Sequence, residues 1–345
     1  MDTGILDLHP GLIIGFVVVV LAMLLLDLGV FNRKAHVVTS KEALGWSVVW
    51  ISLAMVFSGV LYFVFNEDAG GHKIAIEKFT EFQAAYWIEK ALSVDNLFVF
   101  ILVFSYFKVP KELHHKVLFW GVIGAIVFRA IFIFVGVEMI RLTYLNKILG
   151  YVGIDPLPID INLVLTIFGF FLVYAGINSW GEKNEDEEKD FSDNFGVKII
   201  KKFYKISNTY DGGKFFTIKN GVKMATPLLV VVAVIEFTDV IFAVDSIPAI
   251  FAISKDPFIL YTSNIFAILG LRSLYFLLSN FIHMFSKLSY GLAIILAFIG
   301  VKMLISPWVH ISSPVSLGIV GGILVISVLL SVLFPGKEPN QQIEQ

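Results

Sequence analysis

Apolar residues run along this chain in blocks long enough to cross lipid, with polar residues gathered between them. With roughly 20 apolar residues needed per crossing, the pattern predicts about nine transmembrane helices. They fall near residues 11–31, 43–65, 80–105, 116–140, 160–180, 225–252, 258–280, 288–308 and 314–334. The expected fold class is an all-α polytopic membrane protein. The first block is too long for the core of a signal peptide and follows an acidic start, Asp2 and Asp7, so it is expected to be retained.

Lysine and arginine fall unevenly between the two sets of loops. One set, with Arg33, Lys34, Lys108, Lys111 and the lysines from Lys183 to Lys223, carries 17, against 5 in the other. The positive-inside rule then places the N-terminus outside and the C-terminus in the cytoplasm. The longest cytoplasmic loop, 181–224, opens acidic from Glu182 to Asp190 and turns basic. There Phe195, Ile199, Ile200, Phe203 and Ile206 recur at helical spacing among Lys198, Lys201, Lys202 and Lys205. Two readings stay open for it: an amphipathic helix on anionic lipid, or a solvated connector whose lysines fix topology.

The third and sixth blocks interrupt their apolar pattern with carboxylates. Ile88–Phe100 reads IEKALSVDNLFVF, and Ile235–Ile250 reads IEFTDVIFAVDSIPAI. Aligning Asp95 with Asp245 extends the likeness: Arg129 in GAIVFRAIFIF matches Arg272 in AILGLRSLYFL, and Ala175–Asn178 matches Ile299–Lys302. Spans 3–5 thus pair with spans 6–8, and an odd offset makes the repeat inverted, as in transporters whose sites lie near the midplane. The expected organisation is an N-terminal two-helix segment (1–78), a first repeat (79–180), the cytoplasmic loop (181–224), a second repeat (225–310) and a C-terminal helix and tail (311–345).

An ionisable side chain at the bilayer centre costs roughly 2.5–3.5 kcal/mol on the insertion scale, so such residues are retained for a use. The candidates are Glu89, Asp95, Asn96, Glu236, Asp239 and Asp245, with Lys90, Arg129, Arg272 and Lys302 as charge partners. On a regular helix Glu89 and Asn96 share a face and Asp95 lies off it; Glu236 and Asp239 share a face and Asp245 points elsewhere. Pro248 predicts a break in its helix that frees the carbonyl of Val244 beside Asp245. The ligand types are carboxylate, amide, hydroxyl and carbonyl, a set that suits hard divalent ions such as Mn²⁺, Ca²⁺ or Mg²⁺. The plainer alternative is that carboxylates and cations pair only to hold the bundle.

Composition narrows the function classes. The chain is 57% hydrophobic and 16% charged, with a net charge of −2 and no cysteine; mean hydropathy is +0.83. No basic excess points to nucleic acid, and no disulfide or thiolate site can form. Neither a phosphate-binding glycine loop nor the GxGD stretch of intramembrane aspartyl hydrolases occurs, so no enzymatic activity is expected.

EKALSVDN (Glu89–Asn96), FRAIFIF (Phe128–Phe134) and EFTDVIFAVDSIPAI (Glu236–Ile250) resemble the TerC family of bacterial membrane proteins, over roughly 11–334. The resemblance implies a polytopic inner-membrane protein of metal homeostasis, with manganese efflux as its best-supported role and tellurium resistance as its historical name. It also implies kinship with LysE-type exporters, and it carries the family's acidic residues onto Glu89, Asp95, Asn96, Glu236, Asp239 and Asp245. The expectation is an exporter of divalent ions, Mn²⁺ first and Ca²⁺ second, with no permanently bound cofactor. The competing expectation is an accessory protein that works with secretion or insertion machinery, or with metalloenzymes, through the 181–224 loop.

Overall fold

The computed structural model describes residues 10–31, 39–67, 71–181, 194–219, 221–281 and 288–334. Every block expected to span is helical. α1 is Pro10–Phe31, α2 Ser40–Asn66, α3 Gly71–Tyr106, α4 Lys111–Leu142, α5 Leu145–Val152 and α6 Leu163–Gly181. After these come α7, Phe195–Phe203, and a hairpin of β1, Phe216–Lys219, and β2, Val222–Ala225. α8 is Pro227–Phe251, α9 Pro257–Leu269, α10 Leu271–Phe281, α11 Leu288–Ile305 and α12 Ser313–Leu333. Among the described residues, α2, α4, α8, α12 and the joined α9–α10 are long and apolar enough to cross a membrane. Parts of α1, α6 and α11 are shorter apolar helices. α3 is 36 residues long, but Glu81, Glu89, Lys90 and Asp95 dilute its apolar character.

Large apolar side chains on the outer helices face outward, as on Ile131, Phe170, Tyr174 and Val325. In water such a surface would drive aggregation; in lipid it is the matching solvent. Inside, α3 packs against α2, α8, α9 and α12, so the most charged span sits at the centre of the bundle.

The expected break is in a different place. α8 runs unbroken through Pro248, because one missing hydrogen bond is tolerated where Ala243, Ile247, Ala249 and Ile250 are packed on all sides. The interruption falls instead at Gly270, which separates α9 from α10 inside the seventh expected span.

Close glycine contacts join α6 to α11. A Cβ on Gly176 would lie 2.6 Å from the carbonyl oxygen of Ala293 and 2.8 Å from the nitrogen of Ala297. A Cβ on Gly300 would lie 2.7 Å from both Gly169 O and Val173 N. The two backbones therefore touch, the arrangement small residues permit between helices in lipid.

The segment expected as a loop, 181–224, holds more structure than one amphipathic turn. Its acidic opening, Glu182–Asp190, lies outside the described residues. The expected helix forms as α7 but stops at Phe203; Ile206 instead bridges to Ala225, and the serine amide that follows donates to Ala225 O at 2.8 Å. The all-α expectation thus gains a small exception in the antiparallel β1–β2 hairpin. The sequence pair Asn220-Gly221, a hairpin-turn signal, stands between the two strands, with Gly221 at φ 75°. This segment caps one end of the bundle: the Tyr210 hydroxyl donates to Phe107 O at 2.8 Å in the α3–α4 turn. Burial pushes the Tyr210 hydroxyl pKa up to about 12, so it keeps its proton there.

Candidate functional site

Four helices bring polar groups to one buried point. Arg129 on α4 is 1% exposed, Glu89 on α3 0% and Asp239 on α8 5%. Arg129 Nη1 donates to Glu89 Oε1 and, at 3.4 Å, to Asn264 Oδ1 on α9. Its Nη2 reaches Asp239 Oδ1 at 3.5 Å. Ser93, one turn along α3 from Glu89, donates to the same Oε1 at 3.3 Å. One fork-shaped cation thus spans two carboxylates and an amide, a geometry a lysine could not supply.

The cluster is incompletely satisfied. Glu89 Oε2, Asp239 Oδ2, Glu236 Oε2, Asn264 Nδ2 and Arg129 Nε are buried without a hydrogen-bond partner among the described residues. Each such atom costs about 1–3 kcal/mol, and three of the five are carboxylate oxygens. Two carboxylates, Glu89 and Asp239, thus face the single guanidinium of Arg129.

Glu236 reaches this region because α4 makes room for it. It stands one turn before Asp239 on α8, and a Cβ placed on Gly124 would lie 1.8 Å from its Oε2. Any side chain at 124 would collide with that carboxylate where it now sits.

The remaining expected residues divide. Asn96 is buried two turns along α3 from Glu89. Asp95 and Asp245 belong to α3 and α8, and their side chains lie outside the described residues. Lys90 turns toward α9 and donates to Ala267 O at 3.3 Å. Arg272 is buried at the start of α10. Lys302 donates to Ser316 Oγ of α12 at 2.8 Å. Among the described residues, no three Asp, Glu or His side chains converge as a ready-made metal site; Arg129 stands between the two best-placed carboxylates.

Asn264 and Gly124 are the residues that sequence reasoning missed. The signal for Asn264 was the run Thr262-Ser263-Asn264 in an otherwise apolar span. A second polar cluster also went unread. Lys78 pairs with Glu81 at 3.1 Å and with Asp256 at 3.2 Å, and Ser254 donates to Glu81 at 2.9 Å. It ties the start of α3 to the α8–α9 link, where Asp256 caps α9.

Relatives carry the same chain almost end to end. An uncharacterised membrane protein of Myxococcus xanthus is 42% identical over 331 residues, covering 96% of this chain and 95% of that protein. Proteins provisionally named membrane-bound redox modulator Alx are 43% identical in Escherichia coli K12, over 95% of this chain and 96% of theirs, and 43% identical in Salmonella typhi, over 92% of each. No solved structure matches the chain. Residues 74–338 match the family described as the integral membrane protein TerC family. The chain belongs to the TerC family of integral membrane proteins.

Proposed function

We propose that this protein is a secondary transporter that exports a divalent cation, Mn²⁺ in preference to Ca²⁺, through the buried cluster around Arg129. The observation that carries the reading is the pair of carboxylates on one guanidinium. When Asp95 is aligned with Asp245, Glu89 falls on Asp239, and these two residues share Arg129. Equivalent acids from two halves meeting at one cation are what a midplane site between inverted repeats requires. The α6–α11 contact supports the same repeat: Gly176 and Gly300 are equivalent in the alignment, and each touches the pair of residues equivalent to those the other touches.

In this reading the chain crosses nine times with its N-terminus outside. Arg129 stands in for the absent ion, holding Glu89 and Asp239 when the site is empty. A divalent ion entering the cluster takes the unpaired oxygens of Glu89, Asp239 and Glu236, with Asp95, Asp245 and Asn96 as further ligands, and the guanidinium withdraws. Oxygen ligands of this kind prefer hard ions. Lys90, Arg272 and Lys302 balance charge elsewhere in the bundle. The relatives' name speaks of redox; this chain has no cysteine, so a redox effect would come through the metal it moves and not through its own thiols.

The test is ion flux in proteoliposomes, with Mn²⁺ and Ca²⁺ measured separately and Glu89→Gln and Asp239→Asn as variants. Mn²⁺ flux that both variants lose supports the proposal, and weak competition by Ca²⁺ supports the ion. Undiminished flux in the double variant would remove the site, and no flux of either ion from folded protein would favour an accessory role.

A further inference from the structure

We propose that α7 is a lipid-binding element, its outward apolar stripe seated at the acyl-chain border of one leaflet and its lysines on anionic phospholipid headgroups. The inference is independent of the transport reading. α7 divides into three strips. Gly196, Val197 and Ile200 pack inward, the latter two against the same cluster as Val231 and Val234. Phe195, Ile199 and Phe203, at four-residue spacing, form one stripe that is 54%, 42% and 70% exposed. Lys201 and Lys202 project from the remaining side, followed by Lys205 beyond the helix end, all exposed.

Depth decides what covers the apolar stripe. A Cβ on Gly196 would lie 2.5 Å from the carbonyl oxygen of Ala233, and the rings of Phe195 and Phe237 stand 4.9 Å apart. α8 begins at Pro227, so these contacts lie about 9 and 15 Å along its axis. α8 is long and apolar enough to cross the membrane. The start of α7 therefore sits beside a part of α8 already within the apolar layer, and its stripe continues that surface sideways. Lysines flanking such a stripe match the negative potential of anionic lipid, where each is worth about a five-fold change in affinity.

Because the chain has no cysteine, single cysteines introduced at Phe203→Cys and Lys201→Cys can carry a fluorescent label in the full-length protein. The probes are vesicles of phosphatidylcholine alone and of phosphatidylcholine with phosphatidylglycerol, with bromines placed shallow in the acyl chains, and iodide in the water. The expected result is quenching by bromine with loss of iodide quenching at 203, and the reverse at 201. Adding phosphatidylglycerol deepens the 203 label, and Lys202→Gln with Lys205→Gln abolishes that shift. Iodide quenching at 203 as strong as for free label would overturn the proposal and leave the stripe for a protein partner. Equal depth in both vesicles would overturn recognition of anionic headgroups.

Discussion

Glu89 Oε1 and Asp239 Oδ1 are held by the two terminal nitrogens of one buried guanidinium, and among the described residues the second oxygen of each carboxylate is buried without a partner. Breaking a buried ion pair from one side costs about 3–5 kcal/mol, because the abandoned charge stays in a low-dielectric site. Arg129→Met abandons two charges at once. It is expected to lower the melting temperature of the purified protein steeply, and adding Glu89→Gln and Asp239→Asn to the same chain should recover most of the loss. Arg129→Lys keeps the charge but loses the fork, so its melting temperature should fall between the two. A triple variant no more stable than Arg129→Met would mean the three side chains are not coupled.

Gly124 sets the position of Glu236. Since a Cβ at 124 would overlap the Glu236 carboxylate at 1.8 Å, Gly124→Ala forces that side chain out of its slot. Added Mn²⁺ raises the melting temperature of a protein that binds it. That rise should shrink in Gly124→Ala and in Glu236→Gln by similar amounts, and the double variant should lose no more than either alone. Additive losses would show that Gly124 acts on something other than Glu236.

The places of the helices were legible because a run of apolar residues has only one use in lipid, and the acidic stretches stood out because charge there is expensive. The acidic residues of the third and sixth blocks were expected to share one site centred on Asp95 and Asp245, whose side chains lie outside the described residues; that Glu89 and Asp239 share a guanidinium depends on how α4, which carries Arg129, packs against α8. Asn264 was passed over because the short polar run Thr262-Ser263-Asn264 carries no charge to set it apart in an apolar span. Lys90 and Lys302 were grouped with the carboxylates by depth, whereas their amines reach Ala267 O and Ser316 Oγ. The break was assigned to Pro248 because proline carries the stronger local signal, but α8 stays continuous there and the helix interruption falls at Gly270.

Tyr210 fastens the cap over the α3–α4 turn through its bond to Phe107 O. Its hydroxyl pKa is raised from 10.0 to about 12 by burial. The folded protein thus holds this proton more tightly than the unfolded chain does. The stabilisation is fully present below pH 10 and is lost as pH rises from 10 to about 12. Tyr210→Phe should lower stability by about 1 kcal/mol near neutrality. The gap between wild type and variant in thermal melting should stay constant up to pH 10 and close above it; a gap unchanged at pH 12 would show that the hydroxyl does not titrate with folding.

Gly176 and Gly300 make reciprocal contacts across α6 and α11, each with backbone atoms of the other helix under 3 Å from where a Cβ would stand. Backbone cannot swing aside as a flexible side chain can, so a larger residue must push the helices apart. In lipid the loss is of van der Waals packing, since no hydrophobic gain from water drives the helices together. If the two halves are related by a two-fold axis, Gly176→Leu and Gly300→Leu push the same two surfaces apart by the same amount. Each should destabilise by about 1–3 kcal/mol, as overpacking does, and the two values should agree closely. The double variant should cost less than their sum, because the first substitution has already opened the interface that the second would meet. Thermal or denaturant melting of the three variants in one detergent measures this. Unequal single losses with full additivity would mean that the two glycines occupy unrelated environments, which would count against an inverted repeat.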